Sequence, residues 1–127
     1  MAYNILVVDD SETVRAVMAK AIEMSGAEVK TLLTAGHGEE ALEILDREWV
    51  DLVFADINMP VMGGVELVKR MKADADMKNI PVVIVSTEGS ATRIKGLMDS
   101  GVHAFLRKPF KPENLKAVID EIMGKSK

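Results

Sequence analysis

The sequence predicts an α/β fold in which helices cover both faces of a five-stranded parallel sheet. Five short apolar segments alternate strictly with five segments whose apolar residues repeat at helical spacing. The central apolar run, residues 52–55, has no polar position of the kind that a half-solvated strand would show. Strict alternation implies right-handed crossovers, and these make the strands parallel and the sheet doubly wound.

The first strand and helix are predicted between residues 5 and 26. Residues 5–8 are an apolar run, Ser11 is placed to cap a helix, and Gly26 supplies its end. The inward stripe of this helix is expected to consist of Val14, Val17, Met18, Ala21 and Ile22.

The second strand gives a weaker signal than the first. Residues 28–34 follow a period-2 pattern. One side of this strand is expected to carry Val29, Thr31 and Leu33. A helix is predicted over residues 39–49, so that Trp49 ends it and lies against the sheet or at its rim.

The remaining elements follow the central strand. Helices are predicted over residues 65–71 and 90–100, and a final helix begins at Pro112. Strands are predicted over residues 81–85 and 104–106. Gly96 weakens the helix over residues 90–100, because glycine costs about 1 kcal/mol relative to alanine in a helix interior.

Length and composition exclude several classes of protein. The 127 residues fit a single domain, residues 1–127, without an output domain. The net charge of -4 argues against a nucleic-acid binder that neutralises phosphates. There is no cysteine, and therefore no disulfide, thiolate ligand or thiol nucleophile. No secretory signal and no apolar run near the roughly 18 residues of a membrane span is present, so a cytoplasmic protein is expected.

Chemistry-bearing residues follow four of the predicted strands. Asp9 and Asp10 follow the first strand, Asp56 the third, Ser86 the fourth and Lys108 the fifth. Because parallel strands end on the same rim of a sheet, these side chains are expected to lie together. Such a rim is where open α/β sheets bind their ligands.

Three clustered carboxylates repel one another unless a cation intervenes. Oxygen ligands without nearby histidine or cysteine favour a hard divalent ion such as Mg²⁺. Lys108 and Ser86 would add a positive charge and a hydroxyl donor, which suits a phosphoryl group. Asp56 is the best candidate for the carboxylate that accepts it, because it ends the central buried strand.

Five motifs distributed over nearly the whole chain resemble the receiver domain of two-component response regulators, most of all the single-domain chemotaxis type. They are VVDDS at 7–11, GEEAL at 38–42, DINMPVMGG at 56–64, VSTEG at 85–89 and AFLRKPF at 104–110. The resemblance implies a (βα)5 flavodoxin-like sheet with strand order 2-1-3-4-5.

The resemblance also implies the roles of the acidic residues. Asp56 would accept a phosphoryl group from a histidine kinase. Asp9 and Asp10 would hold Mg²⁺ together with Asp56, and Asn58 would contribute its backbone carbonyl to the ion.

Further roles implied by the resemblance concern the response to phosphorylation. Ser86 would bind a phosphoryl oxygen and move on activation, and Lys108 would pair with the phosphate. Phe105 would be the aromatic residue that turns inward. The side chains of Asn58 and Glu88 would tune the lifetime of the phosphorylated state.

Three features depart from the chemotaxis pattern. Phe105 stands where the best-known members have tyrosine, so a switch here would work by packing without a phenolic hydroxyl. Thr87 follows Ser86 where a smaller alanine is frequent. The segment over residues 26–38 is two or three residues longer than usual, so the second strand or its loop should be distinctive.

The leading hypothesis is a monomeric, stand-alone response regulator that changes its surface at the fourth helix, fifth strand and fifth helix. Its downstream target would be a motor, kinase, phosphatase or phosphorelay protein, without nucleic-acid binding or membrane insertion. It would not be an enzyme beyond Mg²⁺-dependent self-phosphorylation and autodephosphorylation. One alternative is a Mg²⁺-dependent aspartyl-phosphate phosphatase or phosphotransferase, although Asn58 stands where the haloacid-dehalogenase type has a second acid. Another is an adaptor that works without phosphorylation.

Overall fold

Five parallel strands and five helices alternate along the chain in the computed structural model, which describes residues 3–57, 62–86, 91–108 and 110–124. The strands are β1 Tyr3–Val8, β2 Val29–Ala35, β3 Leu52–Asp56, β4 Val82–Ser86 and β5 Ala104–Arg107. The helices are α1 Glu12–Met24, α2 Gly38–Arg47, α3 Gly64–Lys72, α4 Ala91–Asp99 and α5 Pro112–Gly124. The strand order is β2-β1-β3-β4-β5 with all neighbouring pairs parallel, which confirms the predicted fold and topology.

The core has two layers, one on each face of the sheet. Along β3, Val53 and Ala55 face a cluster formed with α2, α3 and α4, whereas Leu52 and Phe54 face a cluster formed with α1 and α5. All four side chains are buried, as the continuous apolar run predicts for a central strand covered on both faces.

Helix α1 begins and ends at the predicted signals, but its inward stripe is narrower than predicted. The Ser11 hydroxyl accepts a hydrogen bond from the backbone N–H of Val14 at 3.2 Å, and Gly26 follows the helix with φ +84°. Met18 and Ile22 are buried, but the side chain of Val17 is 59% exposed. The prediction for Val17 was wrong because the facing elements cover only part of the apolar stripe.

Strand β2 does not keep the predicted alternation. Tyr3 pairs with Val29 and Asn4 pairs with Thr31, so Lys30 is an extra residue between the two pairs. This bulge shifts the side-chain phase by one position. Leu33 therefore packs on the face opposite to Val29, and Thr31 is exposed. The prediction of a single face for these three residues was wrong.

Helix α2 is shorter than the predicted range 39–49. It spans Gly38–Arg47, and the ring Nδ1 of His37 accepts a hydrogen bond from the Glu40 backbone N–H at 3.3 Å at its beginning. Trp49 lies beyond the helix and is 80% exposed, so it belongs to the rim and does not pack against the sheet.

None of the helices in the described part of the chain has the length and apolar character that a membrane span requires.

Gly64 holds the beginning of α3 against the end of β3. Its backbone N–H donates to the Ile57 carbonyl at 2.9 Å, and a Cβ atom at this position would overlap the backbone carbonyl oxygen of Asp56. Backbone atoms of a buried strand cannot move aside as a flexible side chain can. The absence of a Cβ at Gly64 therefore allows α3 to begin directly against the Asp56 backbone.

Gly64→Ala is expected to lower the free energy of unfolding by about 2 kcal/mol, in the range of other overpacking substitutions. Gly96→Ala is the matched control, because a Cβ at Gly96 meets no atom within 4 Å. This exposed position in α4 should gain about 0.5–1 kcal/mol from the helix propensity of alanine. Urea denaturation of both variants measures the difference. Equal effects of the two substitutions would contradict the close approach at Gly64.

Candidate functional site

The predicted site residues converge on the carboxyl rim of the sheet. β1 lies beside β3, β3 beside β4, and β4 beside β5, so the loops after these strands are neighbours. The switch point of a doubly wound sheet, where successive crossovers lie on opposite faces, falls between β1 and β3 in this strand order. Asp9 and Asp10 lie on one side of it and Asp56 on the other.

The three aspartates form a cluster. Carboxylate oxygens of Asp9, Asp10 and Asp56 all lie within 4.8 Å of one another. Asp9 is 4% exposed, Asp56 is partly buried and Asp10 is exposed, so the cluster opens from the interior to solvent. This arrangement confirms that the strand ends bring the acids together.

Asp9 is held by three elements of the chain. Its Oδ1 accepts the backbone N–H of Ser11 at 2.9 Å, and its Oδ2 lies 3.3 Å from the Lys108 Nζ. Arg15 Nη1 donates to the Asp9 backbone carbonyl at 2.6 Å. A buried carboxylate is costly unless it is paired and hydrogen-bonded, and these contacts meet that requirement.

Ser86 and Lys108 are joined through the backbone. The Lys108 N–H donates to the Ser86 carbonyl at 3.0 Å, and Ser86, at the end of β4, is 2% exposed. β4 is the direct neighbour of β3, and the ladder between them extends to the pair Asp56 and Val85. The structure therefore places Ser86 beside Asp56 along the rim and Lys108 against Asp9.

Phe105 lies in β5 opposite Ile84 and is partly buried against the cluster of α2, α3 and α4. Three other predicted positions fall outside the described residues: Asn58, Thr87 and Glu88.

The donor set of the cluster suits a hard cation. Three carboxylates offer oxygen ligands, and neither histidine belongs to the cluster. Mg²⁺ is bound in proteins by one or two carboxylates together with waters, and it does not need sulfur or nitrogen ligands. The residues present therefore fit the ion that the sequence predicts.

Sequence reasoning missed the role of Arg15 and the capping of α2. The signal for Arg15 was its position in the first turns of α1, where a long side chain reaches back toward the end of β1. At α2, the Glu40 side chain accepts the backbone N–H of Gly36, while His37 caps the Glu40 N–H. These reciprocal bonds resemble a capping box shifted by one residue.

Comparisons with known proteins assign this fold and pocket to a family. Residues 5–120 match the family model described as the response regulator receiver domain. The chain therefore belongs to the response regulator receiver family, whose members act in two-component signalling.

Relatives with chemotaxis names are similar over almost the whole chain. The chemotaxis protein CheY homolog of Campylobacter jejuni is 36% identical over 95% of this chain and 92% of its own length. Chemotaxis protein CheY1 of Helicobacter pylori strain J99 is 37% identical over 95% of this chain and 97% of its own. The crystallised chemotaxis response regulator CheY4 of Vibrio cholerae superposes with a TM-score of 0.85 at 30% identity, covering 96% of this chain and 99% of that one.

Asp10→Asn is expected to raise the free energy of unfolding by about 1 kcal/mol in low salt with a chelator present. Two unit charges near 4 Å apart repel by roughly this amount in water, and Asp10 is the exposed member of the cluster. Chemical denaturation measures the effect. Asp76→Asn, an exposed acid outside the cluster, is the control and should stay within about 0.5 kcal/mol of the wild type. No gain for Asp10→Asn would mean that the cluster carries no repulsion.

His103, which lies outside the acid cluster, supplies a dependence of stability on pH. Partial desolvation and then the nearby Lys72 ammonium lower the pKa of His103 below its ordinary value of 6.5. The unfolded chain therefore binds the proton more readily, and this part of the stability is present above pH 6.5 and lost as the pH falls below it. Denaturation between pH 7 and pH 5 should show a smaller loss for His103→Gln than for the wild type. Identical slopes would contradict the lowered pKa.

Proposed function

We propose that this protein is a stand-alone response regulator that accepts a phosphoryl group from a histidine kinase on Asp56 and then binds a partner protein. The observation that carries this proposal is the cluster of Asp9, Asp10 and Asp56 with Lys108 paired to its buried member. Membership of the receiver family supports it.

The surroundings of the three acids favour Asp56 as the acceptor. Both carboxylate oxygens of Asp9 already accept hydrogen bonds, from Ser11 and Lys108, so Asp9 is suited to hold a cation or a lysine in place. Asp10 is the exposed member of the three. Asp56 ends the central strand between β1 and β4, with Asp9 and Asp10 after β1 within 4.8 Å and Ser86 at the end of β4.

Mg²⁺ would be held by Asp9, Asp10 and Asp56, with the backbone carbonyl of Asn58 as a further ligand suggested by the family resemblance. When bound, the ion would neutralise carboxylate charge and polarise the phosphoryl oxygens. The role of Asp56 is to attack phosphorus with a carboxylate oxygen, which forms an acyl phosphate. The bond from phosphorus to the imidazole nitrogen of the kinase breaks, and the imidazole leaves with the electron pair.

Lys108 and Ser86 would respond to the new charge. A phosphoryl group on Asp56 competes with Asp9 for the Lys108 ammonium and offers acceptor oxygens to the Ser86 hydroxyl. Charge-assisted hydrogen bonds contribute about 1.5–3 kcal/mol each. Two or three of them approach the roughly 5.5 kcal/mol that converts a 1:99 population into its inverse. Phe105 would follow Ser86 inward and change the surface of α4, β5 and α5.

The partners proposed are a histidine kinase and a downstream protein in motility control, because relatives in two bacteria carry chemotaxis names. A two-component response regulator named ORR3 in rice is also 37% identical over 96% of this chain, so similarity at this level extends beyond chemotaxis. We propose no turnover of external phosphate esters. The monomeric state, the single domain and the cytoplasmic location stay predictions.

Incubation with acetyl phosphate and Mg²⁺, followed by intact mass measurement, tests the proposal. The wild type should gain one phosphoryl group, and Asp56→Asn and a sample with chelator should gain none. Asp9→Asn should reduce the adduct strongly, because it removes a carboxylate of the cation site. Asp51→Asn is the matched control, since Asp51 precedes β3 at the other end of the strand, and it should be phosphorylated like the wild type.

Adduct formation on Asp56→Asn would contradict the assignment of the acceptor. Continuous hydrolysis of p-nitrophenyl phosphate by the wild type would instead support the phosphatase alternative. If neither acetyl phosphate nor a panel of histidine kinases labels the protein, the adaptor hypothesis replaces the switch.

A further inference from the structure

A groove at the amino rim of the sheet lies at the opposite end of the strands from the acidic cluster. It has a volume of about 930 Å³ and is bordered by residues that precede β3 and β4, together with the first residue of β1. Its apolar part is formed by Tyr3, Leu45, Val50, Ile80, Pro81 and Met123. Pockets that bind small molecules have volumes of roughly 300–1,000 Å³, and the volume of this groove lies within that range.

Trp49 stands at this groove with most of its surface in water. It is 80% exposed, and it is the single tryptophan of the chain. Tryptophan is enriched among the residues that dominate binding energies at protein interfaces. A side chain of this size that remains exposed at the edge of an apolar groove is therefore a candidate anchor for a partner.

The indole is fixed to the rim. Its Nε1 donates to Asp51 Oδ1 at 3.1 Å, while Asp51 Oδ2 accepts the Asn4 backbone N–H at 2.8 Å. The Asp51 N–H in turn donates to the Asn4 carbonyl at 2.8 Å. Because Asp51 is bonded twice to β1, the indole is oriented before any partner arrives, which lowers the entropy cost of binding.

The charge of the groove selects the chemistry of the occupant. Among the described residues, four acidic side chains border the groove against one basic side chain, Arg47. The acidic residues are Asp46, Glu48, Asp51 and Asp76. An arginine stacks on an indole face and at the same time donates to carboxylates, whereas an acidic or nucleic-acid ligand would be repelled.

We propose that this groove binds a basic segment of a partner protein, with an arginine stacked on Trp49 and a neighbouring aliphatic side chain on the apolar floor. A second copy of this chain fits less well, because a two-fold symmetric contact would bring two acidic rims together. The amino rim is remote from Asp56, so this docking does not depend on the phosphorylation proposed above.

Selection from a phage-displayed library of random dodecapeptides on the full chain tests the proposal. Enriched peptides should contain arginine beside aliphatic residues. A synthetic copy should change the emission of Trp49, which alone reports tryptophan fluorescence here. Its affinity, measured by the fluorescence anisotropy of a dye-labelled copy of the peptide, should fall at least tenfold for Trp49→Ala, fall severalfold for Glu48→Gln combined with Asp76→Asn, and weaken with salt.

Met24→Ala is the matched control, because Met24 is another exposed large apolar side chain, at 64%, and lies on α1 outside this groove. This variant and Asp56→Asn should bind the peptide like the wild type, which separates the docking proposal from the phosphorylation proposal. No enrichment, acidic enriched peptides, or equal affinity for Trp49→Ala would overturn the docking proposal. A change in Trp49 emission caused by Lys125→Gln with Lys127→Gln alone would assign the groove to the chain's own basic residues and would also overturn it.

Discussion

The contact between Lys108 and Asp9 is the interaction on which the acidic pocket depends. The two residues are 99 positions apart in sequence, and β1 and β5 are separated in the sheet by β3 and β4. At a strand spacing of about 4.8 Å, their axes lie roughly 14 Å apart. The loops after both strands must therefore lean over the ends of β3 and β4 for the ion pair to form at 3.3 Å. The pair thus joins the ends of β1 and β5 across the rim and offsets part of the repulsion among the carboxylates.

The two rims of this parallel sheet carry different kinds of side chains. At the carboxyl rim, charged or hydroxyl side chains stand at or just after the ends of β1, β3, β4 and β5, and those of Asp9, Asp10, Asp56 and Lys108 converge. At the amino rim Trp49 is exposed, and Tyr3, Ile80 and Pro81, which line the same groove, are partly buried. The proposed phosphoryl chemistry occupies the first rim and the proposed docking the second, so a partner at the amino rim would leave Asp56 accessible to a kinase.

Sequence reasoning succeeded where one physical rule determines the outcome. Buried parallel strands must be apolar and must end where a charge appears, so the strands and the rim positions of Asp56, Ser86 and Lys108 could be predicted. The rule does not say how much of an apolar side chain the facing elements cover, so Val17 was wrongly predicted to face inward. The bulge at Lys30 adds a residue without changing composition, so the alternation of β2 could not reveal it.

The proposed switch has to work through packing at β5 and α4. Phe105 has no hydroxyl, so a second, inward position in the proposed switch would leave no polar atom in need of a hydrogen-bond partner. The free-energy difference between the two positions of the ring would then depend on how much apolar area Phe105 buries and on the space beside Ser86. Ser86 is itself buried. Gly96 lowers the intrinsic stability of α4, the helix that would yield in the proposed switch. Because α4 is a weak helix and Phe105 is only partly buried, the free-energy cost of the proposed switch stays within what a few charge-assisted contacts at Asp56 can supply.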